Sequence, residues 1–113
     1  MISNKAKTGI EPIDFNKVCN LVKTDLLEKF KDNILYVRSV KHKVNHAILT
    51  LTITFKRKGP KNQTIDTDTI YSMVDYLVVD LKCSKLIPKG FHAAFFKTEN
   101  TQFTTILTIS LKD

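Results

Sequence analysis

Four cations gather in one short segment of the chain: Lys56, Arg57, Lys58 and Lys61. Lysine and arginine on loops are the usual ligands of nucleic-acid phosphates. The Gly59-Pro60 pair within the segment predicts a turn that holds these side chains away from a sheet. A hairpin before the segment would bring it near Lys29 and Lys31, at the end of a predicted helix. The segment is a candidate phosphate-binding site, and a solvated basic loop is the alternative.

A second basic spot lies at the predicted hairpin tip, where Lys41 and Lys43 flank His42 and His46 follows. Ten residues of strand separate His46 from Lys56, which is about 33 Å at the rise of a strand. The two spots cannot contact one phosphate, but both can contact an extended polymer. The alternative is that the lysines only keep a hairpin tip soluble.

The third candidate is a sheet face lined by threonine. Single-strand binders stack bases on aromatic side chains inside a basic groove, and Tyr36 and Phe96 are predicted to serve in this way, with Arg38 contacting phosphate or stacking. These residue types are also good strand formers, and an apolar face equally fits a dimer or partner surface. The predicted face contains Tyr36, Arg38, Val40, Thr50, Thr52, Thr54, His92, Phe96, Ile106, Thr108 and Ser110.

Other chemistries have little support in the sequence. His42 and His46 straddle a turn without the third and fourth ligands that a zinc site needs. Asp66 and Asp68 are interpreted as charges at a helix start. The chain has no Gly-rich phosphate loop and no Gly-x-Ser-x-Gly motif. We therefore expect no enzymatic activity, no cofactor and no metal.

Two segments have helical spacing and four have the period of a strand. The first helix is predicted to open at Glu11-Pro12, and the second near Asp66. Leu49–Phe55 alternates with threonine and pairs with 34–41, whereas 91–97 pairs with 103–111. The predicted helical stripes are Phe15, Val18, Val22, Leu26 and Phe30, and then Ile70, Val74, Leu77 and Leu81.

The chain echoes itself at an offset of 56 residues. Nine of the 43 pairs between 15–57 and 71–113 are identical, among them Lys41/Lys97 and Lys56/Lys112. Such an echo predicts one supersecondary unit written twice, in halves 10–61 and 62–113. The predicted fold is a two-layer α+β domain, a tandem α-β-β pseudo-repeat with both helices on one face of an antiparallel sheet.

The echo also predicts which side chains face the helices. If Leu35 and Val37 face inward, so do Phe91, Ala93 and Phe95. Charge is not repeated: residues 1–61 carry a net charge of +8 and residues 62–113 carry −1, of a total of +7. A polarised basic chain suggests that one side meets an anion.

Length and composition set further bounds. A chain of 113 residues is one domain, 1–113, with 1–9 as a loose N-terminal arm. It has no predicted signal peptide and no apolar run long enough for a membrane, so a cytoplasmic location is expected.

The leading hypothesis is a small basic nucleic-acid-binding protein (DNA or RNA). The alternative is a protein-interaction module, an inhibitor or adaptor that docks on an acidic partner, and a homodimer is also compatible. The tandem helix–strand–strand order is similar to the topology of the LAGLIDADG homing-endonuclease fold. That family has a Gly-containing helix that ends in a catalytic acid, and neither Phe15–Phe30 nor Ile70–Leu86 has one. The resemblance therefore implies a topology and not an activity.

Overall fold

The computed structural model describes residues 13–113, which form two helices and four strands. The predicted arm at 1–9 and the predicted helix start at Glu11-Pro12 lie outside these residues, and the first helix begins later than predicted. The helices are α1 (Phe15–Lys29) and α2 (Thr67–Cys83). The strands are β1 (Ile34–Asn45), β2 (Ile48–Arg57), β3 (His92–Asn100) and β4 (Thr104–Lys112).

Helix α1 begins where Asp14 caps it. Asp14 has an extended backbone, and its carboxylate accepts a hydrogen bond from the N–H of Lys17 at 3.2 Å. The cap satisfies one of the donors that the first turn of a helix leaves free. Val18, Val22 and Leu26 are buried, which confirms the predicted stripe.

Helix α2 is more deeply buried than α1, as its more apolar composition predicts. It starts after Asp66, with Asp68 in the first turn, so both acids lie at the helix start. Of the described helices, neither is long and apolar enough to cross a membrane. The buried side chains of α2 are Ile70, Met73, Val74, Leu77, Val78 and Leu81.

The four strands form one antiparallel sheet in the order β1-β2-β4-β3. The two central strands alternate buried apolar residues with half-buried polar ones, because one face packs on the helices and the other faces solvent. This arrangement confirms the predicted two-layer α+β fold. The first hairpin turns at His46 and Ala47, both with positive φ, which matches the right-handed twist of the strands.

Both hairpins contain an irregularity in register. In the first, the pairing shifts between Val37 and Ser39, and in the second it shifts between Ala93 and Phe95. The first hairpin has one more shift, between Ile34 and Tyr36. An extra residue in a strand moves every following side chain to the opposite face. The two edge strands therefore depart from simple alternation.

Four predicted orientations were wrong for this reason. Val40 and Phe96 were expected on the uncovered face, but both pack against the core. Leu35 and Phe95 were expected to face inward, but they are 47% and 56% exposed. Phe96 makes an edge-to-face contact with Tyr71 of α2, with ring centroids 4.9 Å apart. The inserted residues reverse the order that a strict period of two would give.

The exchange of roles between adjacent phenylalanines gives a direct test of the bulge. We expect Phe96→Ala to lower the free energy of unfolding by about 2 kcal/mol, because it removes a packed aromatic ring. Phe95→Ala should change it by less than about 0.5 kcal/mol, because that ring lies in solvent. Urea unfolding of both variants measures the difference. The opposite ranking would contradict the bulged register.

The contact between the helices contains a pair of carboxyl groups. Asp80 of α2 faces Asp25 of α1, and their hydrogen bond, burial and mutual repulsion raise the pKa of Asp80 to about 6. Oδ2 of Asp80 is buried and has no donor while both groups are ionised. The hydrogen bond therefore needs a proton on one of the two. Burial and the neighbouring carboxylates also raise the pKa of Tyr76.

This pair predicts a pH-dependent stability. The stabilising contribution of protonated Asp80 is fully present below the unfolded pKa of 3.8 and is lost as the pH rises through about 6. Asp80→Asn is neutral at every pH and can donate to Asp25, so it should stabilise the protein at pH 7.5 but not at pH 4. With solvent screening, the gain at pH 7.5 is about 1 kcal/mol.

Thermal unfolding at the two pH values measures this effect. Asp75→Asn is the matched control, because Asp75 is an exposed acid on the same helix and its removal changes the net charge equally. An equal gain for both variants at both pH values would rule out the proton-sharing pair.

Candidate nucleic-acid interface

The face of the sheet that neither helix covers, called the open face below, follows from the strand register. Directly paired residues of antiparallel strands lie on the same face, so each row across the sheet can be read from the pairing. The open face consists of Tyr36, Ser39, Lys41, Lys43 and Asn45 of β1; Ile48, Thr50, Thr52, Thr54 and Lys56 of β2; Thr104, Ile106, Thr108, Ser110 and Lys112 of β4; and His92, Phe95, Lys97 and Glu99 of β3.

The middle row of the open face has a lysine at each edge and threonines between them. Lys41 pairs with Thr52, Thr52 with Thr108, and Thr108 with Lys97. Three inter-strand steps separate the backbones of the two lysines, a distance of about 14 Å. The row therefore presents two ammonium groups on either side of a pair of hydroxyls.

The bulge in β1 is what places Lys41 and Lys43 on this face. Before the bulge, Val37 packs inward opposite Phe55, and after it Lys41 and Lys43 share a face with Thr52 and Thr50. Their exposed side chains thus flank the threonine stripe directly. The two predicted spots, the hairpin tip and the threonine face, form one surface.

Lysines at the two ends of the central strands extend this surface. Lys56 lies at the end of β2 opposite Thr104, with its ammonium 4.5 Å above the ring of Phe103. Lys112 lies at the end of β4. Glu99 is the one acid on the open face within residues 13–113, and it stands near the end of an edge strand. The open face is therefore strongly cationic.

Two aromatic side chains are available for stacking on a base. Tyr36, a predicted site residue, is 42% exposed and lies opposite Lys56. Phe95 lies opposite Ser110 and takes the place that the sequence assigned to Phe96. Arg38 is exposed at the bulge of β1. The open face thus combines cations, hydroxyls and aromatic rings.

The predicted loop cluster has a different character. The N–H of Lys58 donates to the carbonyl of Asn33 at 2.9 Å, so the loop does lie beside the turn after α1. A polar cavity of about 520 Å³ at this place is lined by Lys58 together with Asp32 and Asp66. These acids offset part of the local charge, and Gly59 turns the loop at a φ of 104°.

The remaining predicted cations are divided among separate places. Lys61 and Lys31 are exposed on the loop and on the turn after α1. The ammonium of Lys29 lies over the ring of Tyr76, 5.6 Å from its centre, in the helix layer. The structure therefore separates Lys29 from the open face and does not bring all six predicted cations to one point.

Arg57 is a structural residue and not a surface cation. It is 4% exposed, and all three nitrogens of its guanidinium donate to oxygen atoms of the neighbouring loops. A buried guanidinium with its donors satisfied is not presented to a phosphate, which corrects the sequence prediction. The acceptors are the carbonyls of Gln63 (2.9 Å), Thr101 (2.7 Å), Gln102 (2.7 Å) and Thr104 (2.6 Å), Oγ1 of Thr105 (3.1 Å) and Oδ1 of Asn100 (3.5 Å).

The histidines give no metal site. His42 stacks on Phe15, with ring centroids 4.3 Å apart, and His46 forms the hairpin turn. No group of three or more potential ligands gathers anywhere in residues 13–113.

An apolar cavity of about 700 Å³ lies elsewhere, at the end of α2 and the loop after it. Its lining includes Ile13, Leu86, Ile87 and Pro88, and none of its lining residues belongs to the open face. The cavity therefore plays no part in the candidate interface.

Sequence reasoning missed Lys97, Lys112 and Phe95. The signal for the two lysines was present in the 56-residue echo, where they match Lys41 and Lys56. Phe95 had no signal, because its exposure depends on the bulge. Comparison of the chain with models of protein families, with curated proteins and with solved structures finds no match. The interface is therefore argued from the residues of this chain.

The role of Arg57 can be separated from that of its neighbour Lys58. Arg57→Ala should lower the free energy of unfolding by about 3–5 kcal/mol, because it leaves several buried carbonyls without donors. Lys58→Ala, which removes an exposed cation one residue later, should stay within about 0.5 kcal/mol. Urea unfolding of both variants makes the comparison. A fully stable Arg57→Ala protein would contradict the structural role.

Proposed function

We propose that this protein binds nucleic acid on the open face of its sheet. The observation that carries the proposal is the convergence of cations and hydroxyls on the face that neither helix covers. Lys41, Lys43 and Lys56 flank the threonine stripe on one side, and Lys97 and Lys112 flank it on the other. Ammonium groups and hydroxyls are the common ligands of phosphate oxygens. The proposed role is binding, and phosphate contacts would dominate its affinity.

Tyr36, Phe95 and Arg38 extend the proposal to base and sugar contacts. Base–aromatic stacking tolerates any sequence, because every base has a π-face. Arg38 and Lys43 belong to the first half, and their counterparts in the 56-residue echo are Ala94 and Glu99. The β1 side of the face would therefore hold phosphate more strongly than the β3 side.

We also infer that the halves 10–61 and 62–113 are copies of one unit. The register irregularity after Val37 lies 56 residues before the one after Ala93. Thr52 and Thr108, which match in the echo, pair directly across the centre of the sheet. Both facts support a pseudo-twofold axis that passes between these threonines, perpendicular to the sheet.

A protein partner is the second candidate, and one feature favours it. Leu35 and Tyr36 are exposed side by side on β1, and exposed Phe103 lies beneath the ammonium of Lys56. Clustered apolar side chains are typical of partner surfaces. A pull-down from extract with and without nuclease separates the two candidates, because a protein partner survives nuclease and a nucleic acid does not.

Charge removal from the open face tests the nucleic-acid proposal. The Lys41→Ala/Lys43→Ala double variant should weaken binding to 20-residue DNA and RNA probes, and it should lower the slope of log affinity against log salt by about 2. Lys17→Ala/Lys23→Ala is the matched control, because it removes two exposed cations of α1 in the helix layer. Fluorescence anisotropy at several salt concentrations gives both slopes.

Two results would overturn the proposal. One is the absence of binding by the unmodified protein at low salt. The other is an equal loss for the helix-layer control, since that would indicate an effect of net charge without a defined face. Thermal unfolding verifies that each variant is folded before its affinity is interpreted.

A further inference from the structure

The lysines that the 56-residue echo repeats are placed symmetrically on the open face. Lys41 and Lys97 stand at the two edges of the row that contains Thr52 and Thr108. Rotation about an axis between these threonines exchanges the two lysines. The same rotation exchanges Lys56, opposite Thr104, with Lys112, at the far end of the adjacent strand.

The dimensions of this quartet of lysines follow from strand geometry. Lys41 and Lys97 are about 14 Å apart across the sheet, and Lys56 and Lys112 are about 26 Å apart along it. A flat surface of this size matches about 8 base pairs at about 3.4 Å each. The width is of the order of the major groove, about 12 Å.

The symmetry of the surface selects between the two forms of nucleic acid. The two strands of a double helix run in opposite directions, so a local twofold axis relates them at every base pair. A single strand has one direction and no such axis. A surface with a twofold arrangement of cations can make equivalent contacts to both strands of a duplex, but never to two parts of one strand.

We propose that the open face binds double-stranded nucleic acid, with Lys41 and Lys97 contacting phosphates of opposite strands. This inference rests on the proposed function and names its substrate class. Lys56 and Lys112 contact the two strands farther from the axis. The extra cations of the first half, Arg38 and Lys43, strengthen the contacts to one strand without removing the equivalence of the quartet.

The first test compares a 20-base-pair duplex with each of its separated strands, as DNA and as RNA, at equal ionic strength. The duplex should bind more tightly than either strand, and the two arms show whether the B-form or the A-form is preferred. Tighter binding to single strands would overturn this inference and leave the proposed function standing. Failure to bind any probe at low salt would overturn both.

The second test examines the equivalence of the two lysines. Lys41→Ala and Lys97→Ala should each lower the affinity for the duplex about eight-fold at about 0.1 M salt, because each loses one phosphate contact. The double variant should lower it about 60-fold. Lys23→Ala, a cation of the helix layer, serves as the control and should change it less than two-fold. A loss confined to one of the two lysines would contradict the symmetric arrangement.

A third measurement locates the contacts on each strand. Duplex DNA with a neutral methylphosphonate backbone in one strand should retain about half of the salt slope, whichever strand is neutral. Loss of the whole slope with one strand, and of none with the other, would show contact with a single strand only. That result would overturn the duplex proposal even if the duplex bound well.

Discussion

The antiparallel pairing of β2 with β4 is the constraint on which the rest of the structure depends. Each helix–strand–strand unit has an apolar face that it cannot bury alone. Pairing Thr52 with Thr108 joins the two hairpins into one sheet, so that both helices cover the same face. The buried side of this pair contributes Leu51, Ile53, Leu107 and Ile109 to the core. The open face is the necessary consequence, because two helices cover only one side of a sheet.

Bulges in the outer strands determine what the open face displays. Without the inserted residue in β1, Lys41 and Lys43 would share a face with the core and Val40 would lie in solvent. The same device in β3 exposes Phe95 and packs Phe96 on α2. Bulges are enriched at sheet edges and next to functional sites, where they redirect side chains. Here they turn an edge strand into the basic border of a threonine-lined surface.

The end of the sheet is held by Arg57, whose buried guanidinium ties the β3–β4 turn and the loop after β2 to the last residue of β2. This fixes Lys56 on the open face and leaves Lys58 and Lys61 on the loop. One residue in the densest cation cluster is therefore part of the framework that orients its neighbours. The charge that matters for the proposed interface lies on the strands more than on this loop.

The sequence by itself determined the helices, the four strands and the two-layer α+β class, because these follow from local periodicity. Val18, Val22 and Leu26 recur at helical spacing, and burial follows that spacing whatever the partner is. The echo of Lys41 in Lys97 was also legible in the chain.

Only the tertiary structure decided which face these lysines occupy and that Arg57 is buried. A bulge is defined by the register with a partner strand, and strict alternation in the sequence hides it. The acceptors of Arg57 at Thr101–Thr105 lie more than 40 residues away along the chain, so no local pattern marks them. What a side chain does here depends on which strand stands beside it.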